Sequence, residues 1–339
     1  MPYVRAGVTA RTRAGRPGRT GRTLRLGTRR SALALAQSGQ VARAVTRMTG
    51  HPVELVEITT YGDVSREDLA RIGGTGVFAA ALREALVRGE VDLAVHSLKD
   101  LPTRQPRELV LAAIPAREDP RDVLVARDGH TLADLPRGAR IGTGSPRRAA
   151  QLNAYARSRG TEFETVPVRG NIDTRMGYVT AGGLDAVVLA AAGLGRLGRA
   201  GEATDVLPAG TLLPAPGQGA LAVECGADDA ELIAALAPLD DPSTRIAVTA
   251  ERAVLAALEA GCSAPVGALA DRTRGEMRLR GVVGTTDGAT LVRLSATAPV
   301  PRTADRARAL GHELAAEMLA QGAAGLMADG TAPAPDRTR

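Results

Sequence analysis

Short apolar runs alternate along this chain with longer segments whose apolar side chains recur every three or four positions. The short runs predict buried strands and the longer segments predict amphipathic helices. Residues 24–28 form the first predicted strand, and a helix follows from Ser31, a favourable N-cap, to a stop at Gly50. A strand over 53–59 and a helix over 77–88 come next. This alternation is typical of an α/β fold.

The stretch from Gly89 to Pro102 joins an apolar run to four polar, chemically capable side chains. Residues 91–95 are an apolar, β-prone run that predicts a buried strand, and Pro102 prevents that strand from continuing inside a sheet. Between them lies His-Ser-Leu-Lys-Asp, where Lys99 is the only lysine of the chain and Asp100 follows it. Ligands of α/β proteins bind where buried strands end. The alternative is that Lys99 is a neutral choice on a solvated loop.

The second part of the chain repeats the pattern of the first. Residues 139–143 resemble 24–28, and each run leads into a pair of arginines. Residues 183–188 resemble 89–95 in the same way. Two lobes with the same order of strand, turn and helix predict a bilobal binding fold. Residues 213–219 look like a return crossing that ends in a strand at 220–224.

The pattern changes from about Asp241 onward. A long helix over 242–260 leads into the loop 261–265, and strands near 265–270, 276–284 and 289–297 precede a helix at 303–320. This order predicts a small α+β third domain. We therefore divide the chain as follows: a disordered basic extension, 1–23; lobe 1, 24–115 with 220–237; lobe 2, 121–213; the third domain, 242–328; and a disordered tail, 329–339.

The formal net charge of +6 comes from the first 23 residues, which carry six arginines and no acid. A transit peptide would share that charge, but the glycines and prolines there disfavour an amphipathic helix. The rest of the chain is balanced and has no Trp, which argues against a nucleic-acid surface. No apolar run is long enough to span a membrane. Two cysteines are too few for a disulfide-built secreted fold, so we expect a cytoplasmic protein. We also expect a monomer.

Six arginines stand at predicted helix starts or after glycines. Helix N-termini and guanidinium groups both favour carboxylates and phosphates, so these positions predict a ligand with many anionic groups. The alternative is that they decorate the surface. The six are Arg29, Arg147, Arg148, Arg169, Arg175 and Arg196.

Cys262 lies in the loop after the long helix and predicts either a reactive thiol or a small structural residue, the latter including a pair with Cys225. Cys225 ends a strand and is the better candidate for a core thiol. The four histidines are scattered, so we expect no metal site. The glycines at 193, 195 and 198 match a dinucleotide fingerprint only superficially, and we interpret them as a helix and turn that present Arg196 to an anion.

Taken together, these motifs closely resemble the porphobilinogen deaminase (hydroxymethylbilane synthase) family, from about Leu24 to Ala328. The resemblance is carried by the following segments: 26–37, with Gly-Thr-Arg-Arg-Ser; 73–78, with Gly-Gly-x-Gly-x-Phe; 92–102; 142–148, with Gly-Thr-Gly-Ser-Pro-Arg-Arg; 169–175, with Arg-Gly-Asn-Ile-Asp-Thr-Arg; 213–219, with Leu-Pro-Ala-Pro-Gly-Gln-Gly; and 261–267, with Gly-Cys-x-x-Pro-Val-Gly.

The resemblance implies two lobes like those of periplasmic binding proteins and a third domain whose loop cysteine, here Cys262, carries a dipyrromethane cofactor through a thioether. Such enzymes condense four porphobilinogens onto that cofactor with loss of ammonia and release a linear tetrapyrrole by hydrolysis. Each porphobilinogen bears an acetate and a propionate, which fits a cleft rich in arginine.

The resemblance also implies roles for individual residues. Asp100 matches the catalytic carboxylate, which would protonate the departing amine and stabilise the positive pyrrole nitrogen of a methylene-pyrrolenine intermediate. The implied cofactor-binding residues are Cys262, Lys99, Arg29, Ser31, Thr143, Ser145, Arg147, Arg148, Arg169 and Gly170. The implied substrate-binding residues are Arg29, Arg169, Arg175, Arg196 and Phe78.

Three positions depart from the pattern of many relatives, which carry Lys at Thr75, Pro at Ala32 and Arg at Gly226. Thr75 belongs to a cleft-side loop, so we expect this departure to weaken binding of the growing tetrapyrrole chain. Two rival functions stay open at this point. A solute-binding module would share the lobes but has no use for Cys262, and a Schiff-base lyase would be built on Lys99.

Overall fold

The computed structural model describes residues 21–59, 77–260 and 264–328 of the chain. Its first sheet contains five strands in the order β2-β1-β3-β10-β4, with β1 parallel to β2 and β3, and β10 antiparallel to both of its neighbours. The strands are β1 (Leu24–Thr28), β2 (Val53–Glu57), β3 (Leu93–Ser97), β4 (Leu109–Ala113) and β10 (Leu221–Gly226). Helices α1 (Ala32–Thr49), α2 (Val77–Val87) and α6 (Ala230–Leu236) belong to the same lobe.

The second sheet repeats this topology in the order β7-β6-β8-β5-β9, again with three parallel strands and an antiparallel fourth. Its strands are β5 (Asp122–Ala126), β6 (Ala139–Gly142), β7 (Phe163–Val166), β8 (Ala186–Ala190) and β9 (Asp205–Leu207). Helices α3 (Pro146–Ser158), α4 (Ile172–Thr180) and α5 (Ala191–Arg196) connect or follow them. The predicted repeat is confirmed, and the two lobes have the periplasmic-binding-protein-like arrangement.

Local signals account for the elements that lead into the cleft. The Ser31 hydroxyl accepts a hydrogen bond of 3.3 Å from the Ala34 amide and so begins α1, while Gly50 ends it with a φ of +71°. Leu93, Ala94 and Val95 of β3 are all buried, as expected for a strand covered on both faces. Cys225 is buried in the same sheet, in agreement with its predicted place in the core.

The chain crosses between the lobes twice, and the two crossing segments touch each other. The Glu118 amide donates a hydrogen bond of 3.3 Å to the Gly219 carbonyl. Gly219 has a φ of +87°, and a Cβ there would lie 2.6 Å from the Glu118 carbonyl oxygen. Only glycine therefore fits where the two segments meet.

The third domain is a small α+β unit. Strands β11 (Val266–Thr273), β12 (Glu276–Gly284) and β13 (Leu291–Pro299) form an antiparallel sheet, and α7 (Pro242–Ala257), α8 (Ala304–Ala320) and α9 (Ala323–Ala328) complete the domain. Side chains of α7 and α8 share one apolar core with the sheet, including Val254, Leu279 and Leu314. The strands of the three sheets fall inside the ranges that the sequence assigns to the lobes and the third domain, and we keep that division as our proposal.

Some predicted boundaries are wrong by a few residues. The central strand β3 begins at Leu93 and ends at Ser97, two residues later than predicted. The displacement follows from Asp92, whose buried carboxylate is bonded to the Arg25 amide at 2.9 Å. Helix α7 ends at Ala257 rather than at 260. The predictions made for the glycine-rich loop 73–76 with Thr75 and for 329–339 lie outside the described residues, as do residues 1–20 of the predicted extension 1–23. The end of that extension is described, and Arg22 donates to the Asp92 carboxylate at 2.8 Å.

Candidate active site

In each lobe, polar segments follow two parallel strands: β1 and β3 in the first sheet, and β6 and β8 in the second. α/β sheets bind ligands at this edge, where the strands end. After β3 the chain forms a 3₁₀ turn, Leu98–Asp100. Leu98 is fully buried and anchors this turn, whereas Asp100 is exposed. Arg29, Gln37, Ser97 and Asp100 line a common cavity, which brings the start of α1 together with the turn.

Lys99 points its ammonium toward the second crossing segment. Its Nζ donates a hydrogen bond of 3.2 Å to the side-chain oxygen of Gln218. Burial of the ammonium lowers the pKa of Lys99 to about 8, and this shift survives the opposing attraction of Asp100 and Asp122. Lys99 therefore carries a positive charge at neutral pH and loses it as the pH rises through about 8.

Asp122, the first residue of β5, is the buried centre of this cluster. Its carboxylate lies 2.9 Å from a guanidinium nitrogen of Arg147 and 2.7 Å from one of Arg148. It also accepts a hydrogen bond of 2.8 Å from the Gln218 amide. Burial alone would raise the pKa of Asp122, but the two arginines hold it well below its usual range. The carboxylate stays ionised.

Arg147 and Arg148, at the start of α3, are buried rather than displayed on the surface. Arg147 donates to the Leu213 carbonyl at 2.6 Å, and Arg148 donates to the Val188 carbonyl at 2.8 Å. Both guanidinium groups thus use part of their hydrogen-bonding capacity within the protein. The Nε of Arg148 is nevertheless buried without a hydrogen-bond partner within the described part of the chain.

The charge of Arg175, on α4, acts on Arg148 of this cluster and on Asp100 in the turn after β3. Burial lowers the pKa of Arg175, Arg148 lowers it further, and Asp100 raises it, so the Arg175 charge lies within electrostatic reach of both lobes. Its Nε donates a hydrogen bond of 2.9 Å to the carbonyl of Gly170, which has a φ of +101°. Arg169, the preceding residue, is exposed.

Arg196 ends α5 and contacts the second crossing segment. One of its terminal nitrogens donates a hydrogen bond of 2.6 Å to the Gly219 carbonyl. Burial lowers the pKa of Arg196, with Glu118 acting in the opposite direction. Its Nε is a second buried donor without a partner among the described residues. The predicted helix and turn at 191–198 is confirmed.

The predicted hydroxyl ligands differ in what they already bind. The Ser31 oxygen caps α1, and Thr143 is buried with its oxygen accepting the Ser145 amide at 3.2 Å. Ser145 occupies the N-cap position of α3, but its hydroxyl makes no capping hydrogen bond. Its hydroxyl is therefore not used for capping.

Two predicted site residues cannot be placed. Cys262 lies in 261–263, outside the described residues, five positions after the last residue of α7. Phe78 is in the first turn of α2, but its side chain also falls outside the description.

Sequence reasoning missed Asp122 and the side chain of Gln218. An acid at the head of an otherwise apolar run was the available signal for Asp122. Gln218 is fully buried and lies in the Pro-Ala-Pro-Gly-Gln-Gly segment, which the sequence identifies as a crossing and as part of the family resemblance but without a role for this side chain. Buried polar side chains need partners, and here each is a partner of the other.

These donors fit a ligand that carries carboxylates. At this site the buried Nε–H groups of Arg148 and Arg196 lack protein partners in the described residues, and leaving such donors unpaired is costly. Lys99 and Arg175 add positive charge beside the same turn. No group of three His, Cys, Asp or Glu side chains in 21–59, 77–260 and 264–328 is arranged to hold a metal ion. Over the same residues, no helix is both long and apolar enough to cross a bilayer.

Fold and site together define a two-lobed α/β protein with a cationic cleft around one exposed carboxylate. Comparison with known families places it among enzymes: residues 24–234 match the model "Porphobilinogen deaminase, dipyromethane cofactor binding domain", and 245–320 match "Porphobilinogen deaminase, C-terminal domain". The chain belongs to the porphobilinogen deaminase family, whose members are transferases.

Curated relatives agree with this assignment. Porphobilinogen deaminase 1 of Streptomyces coelicolor is 75% identical over 315 residues, which cover 91% of this chain and 99% of that protein. Porphobilinogen deaminase of Thermobifida fusca is 54% identical and covers 91% of this chain and 97% of its own length. A Salmonella typhimurium periplasmic binding protein with high arginine specificity aligns with a TM-score of 0.37 and 16% identity, over 65% of this chain and 92% of that chain, which is too weak to support a conclusion.

Proposed function

We propose that this chain is a hydroxymethylbilane synthase. It condenses four porphobilinogens on a dipyrromethane that is bound through Cys262, releases one ammonia for each condensation, and frees the linear tetrapyrrole by hydrolysis. When bound, the dipyrromethane supplies the pyrrole carbon to which the first substrate is joined. The family assignment supports the activity, and the residue roles below are our own proposal.

One observation carries the assignment of roles. Asp100 is an exposed carboxylate on a turn of lobe 1, and the positive charges of Lys99 and of Arg175 from lobe 2 lie within its electrostatic reach. Porphobilinogen has two carboxylates and one aminomethyl group. The basic side chains would take the carboxylates and leave Asp100 as the group of opposite sign for the amine.

Asp100 would act on the aminomethyl end of the substrate. Its carboxyl group would hold a proton for the departing amine and then, as a carboxylate, stabilise the positive charge that develops on the pyrrole nitrogen. The turn suits this role because Leu98 anchors it in the core while Asp100 remains accessible. A fixed negative charge at the reacting centre needs no reorganisation during the step.

The remaining polar residues would bind carboxylates of the cofactor and of the growing chain. Arg148 and Arg196 each have a buried Nε available among the described residues, and Lys99 is charged at neutral pH. We also assign Ser145, whose hydroxyl does not cap its helix, to this task. The further proposed ligands are Arg29, Ser31, Thr143, Arg147, Arg169, Gly170, Arg175 and Phe78.

Intact-mass measurement and turnover test the proposal together. Purified protein should carry the added mass of a dipyrromethane and should consume porphobilinogen with release of ammonia. Cys262→Ala should lose both, whereas Cys225→Ala, the matched change at the other cysteine, should keep the added mass. Active protein with the mass of the bare chain would contradict the proposal. A Schiff-base enzyme would instead lose turnover on borohydride reduction with substrate, at Lys99.

We further propose that the enzyme works as a cytoplasmic monomer without a nucleic-acid partner. Within one chain, Lys99 of lobe 1, Gln218 of the second crossing and Asp122 and Arg147 of lobe 2 form a connected set of contacts. Light scattering during size-exclusion chromatography checks the mass in solution. Activity that depends on protein concentration would contradict it.

A further inference from the structure

A guanidinium group of the third domain reaches the turn that carries Lys99 and Asp100. Arg252 lies on α7, and one of its terminal nitrogens donates to the carbonyls of Leu98 at 3.1 Å and Leu101 at 3.0 Å. The other terminal nitrogen donates to the Pro102 carbonyl at 2.7 Å. Three carbonyl acceptors in and just after the turn thus face one side chain from another domain.

The turn needs such support because its own hydrogen bonding is slight. It is a single 3₁₀ turn, and one backbone bond, from the Leu101 amide to the Leu98 carbonyl at 3.2 Å, closes it. Carbonyls at the end of a helical turn have no partners within the turn, and 3₁₀ geometry is weak. On the other side, the Leu98 amide donates to the Ala220 carbonyl at 3.0 Å. The turn is therefore held between α7 and Ala220, the residue before β10.

The same helix leads to the loop of Cys262. Arg252 lies five residues before Ala257, where α7 ends, and Cys262 follows five residues after that end. Next to Arg252, the fully buried carboxylate of Glu251 accepts two hydrogen bonds from Arg117 of the first crossing, at 2.7 and 3.0 Å. The helical turn of α7 that contains Arg252 is therefore bound to the first crossing segment between the lobes.

We propose that Arg252 is a positioning residue for the reaction: it holds the turn that carries Lys99 and Asp100 in place against α7. This inference rests on the proposed function, since it assumes that Asp100 acts on the substrate. Arg252 itself touches backbone carbonyls, so its effect reaches the reacting atoms through the turn. Losing it should impair the chemical step more than substrate binding.

The chain offers a matched control on the same helix. Arg245 lies seven residues before Arg252, two helical turns along nearly the same face. It too donates to a backbone carbonyl of lobe 1, that of Leu111 at 3.2 Å, and it pairs with Asp240. Arg245 contacts no residue of the turn that carries Lys99 and Asp100 in the described structure. Arg245→Met therefore removes a comparable contact without the positioning role.

The experiment compares kcat, KM and intact mass for Arg252→Met, Arg252→Lys and Arg245→Met on porphobilinogen. Displacement of a reacting group by about 1 Å costs roughly 100-fold in rate, so Arg252→Met should lower kcat by about that factor while KM changes little and the added mass stays. Arg252→Lys, with one ammonium for three carbonyls, should recover about a tenth of the wild-type kcat. Arg245→Met should keep the wild-type kcat, whatever its effect on Tm.

Two results would overturn the positioning role: a wild-type kcat in Arg252→Met, or a loss of kcat that is equal in Arg245→Met and tracks the folded fraction. If Arg252→Met does not fold, Arg252→Lys decides, and a wild-type kcat there counts against the proposal. Failure of the proposed function would look different, because the wild-type protein itself would then consume no porphobilinogen.

Discussion

The ammonium of Lys99 donates a hydrogen bond of 3.2 Å to the side-chain oxygen of Gln218. The amide nitrogen of the same Gln218 donates to the Asp122 carboxylate at 2.8 Å and to the Pro120 carbonyl at 2.7 Å. One fully buried amide therefore connects the turn that carries Lys99 and Asp100 in lobe 1 to the first strand of lobe 2. All three hydrogen bonds require the side-chain amide of Gln218 to keep the same orientation.

Lys99→Arg should change the pH dependence of turnover. Burial lowers the pKa of Lys99 to about 8, so the wild-type side chain is charged below that pH and becomes neutral as the pH rises through it. Arginine stays charged throughout this range. The wild-type kcat/KM should fall above pH 8, and the variant, at a reduced level, should show no fall between pH 7 and 9.5. If the variant showed the same fall in kcat/KM above pH 8, a group other than Lys99 would be responsible for it.

Asp100→Asn should keep the fold and the mass added at Cys262 but lose nearly all turnover. The exposed position of Asp100 means that the change leaves no buried group unpaired. Asparagine cannot carry the proton or the negative charge that the departing amine and the pyrrole cation require, and loss of general acid–base catalysis typically costs 100- to 10,000-fold, that is, on the order of 3 to 5 kcal/mol. Steady-state kinetics with intact-mass analysis measures both. Normal turnover here with a dead Lys99→Arg would reverse the two roles.

Arg148→Leu should reduce both stability and cofactor assembly. The change leaves the buried Asp122 carboxylate with Arg147 and Gln218 but without its 2.7 Å partner, and breaking a buried ion pair costs about 3–5 kcal/mol. Urea unfolding and intact mass give the two readouts. Arg127→Leu, which breaks the exposed pair with Asp185 in the same lobe, should cost at most about 1 kcal/mol and leave the mass unchanged.

Glu224→Gln should lower stability at neutral pH but not at strongly acid pH. Glu224 is fully buried in the first sheet, where Arg83 donates to its carboxylate at 2.7 Å and His96 lies 3.1 Å away. Burial alone would raise its pKa, yet His96 and Arg83 lower it to about 2. The stabilisation is therefore complete above the ordinary pKa and disappears as the pH falls toward 2.

Urea unfolding at several pH values measures this difference. The wild type should exceed Glu224→Gln by on the order of 3 kcal/mol at pH 7, and the gap should shrink steadily below pH 4.5. Glu90→Gln is the control, because Glu90 pairs with Arg88 on the exposed surface. A gap that does not depend on pH would mean that the charge of Glu224 contributes nothing.

Elements with local signals are predicted well from the sequence. Helix α1 begins and ends at its predicted cap and glycine because both act through neighbouring backbone atoms. Strand β5 is absent from the predicted elements, since its apolar run is short and begins with an acid, and its place between β8 and β9 is set by tertiary pairing. The two lobes are predictable because the same order of strand, turn and helix occurs twice in the sequence.

The basic cluster shows where sequence reasoning stops. The pattern Ser-Pro-Arg-Arg predicts two cations at a helix start, but nothing local reveals that Asp122 lies opposite them, 25 and 26 residues earlier in the chain. Glu251 and Arg252 carry no signal either, since a charged pair on a long helix resembles a solvated face. Their partners on lobe 1 and on the crossings are tertiary, and only the folded structure pairs them.

The position of β10 has a consequence for how the chain is made. This strand lies between β3 and β4 in the first sheet, yet it follows the whole of lobe 2 in the sequence. The strands of lobe 2 are contiguous, from 122 to 207, so the second lobe can fold while the first still lacks its inner strand. On the ribosome, the N-terminal lobe must wait with β3 and β4 unjoined until about residue 226 has emerged, which reverses the usual N-to-C order of domain completion.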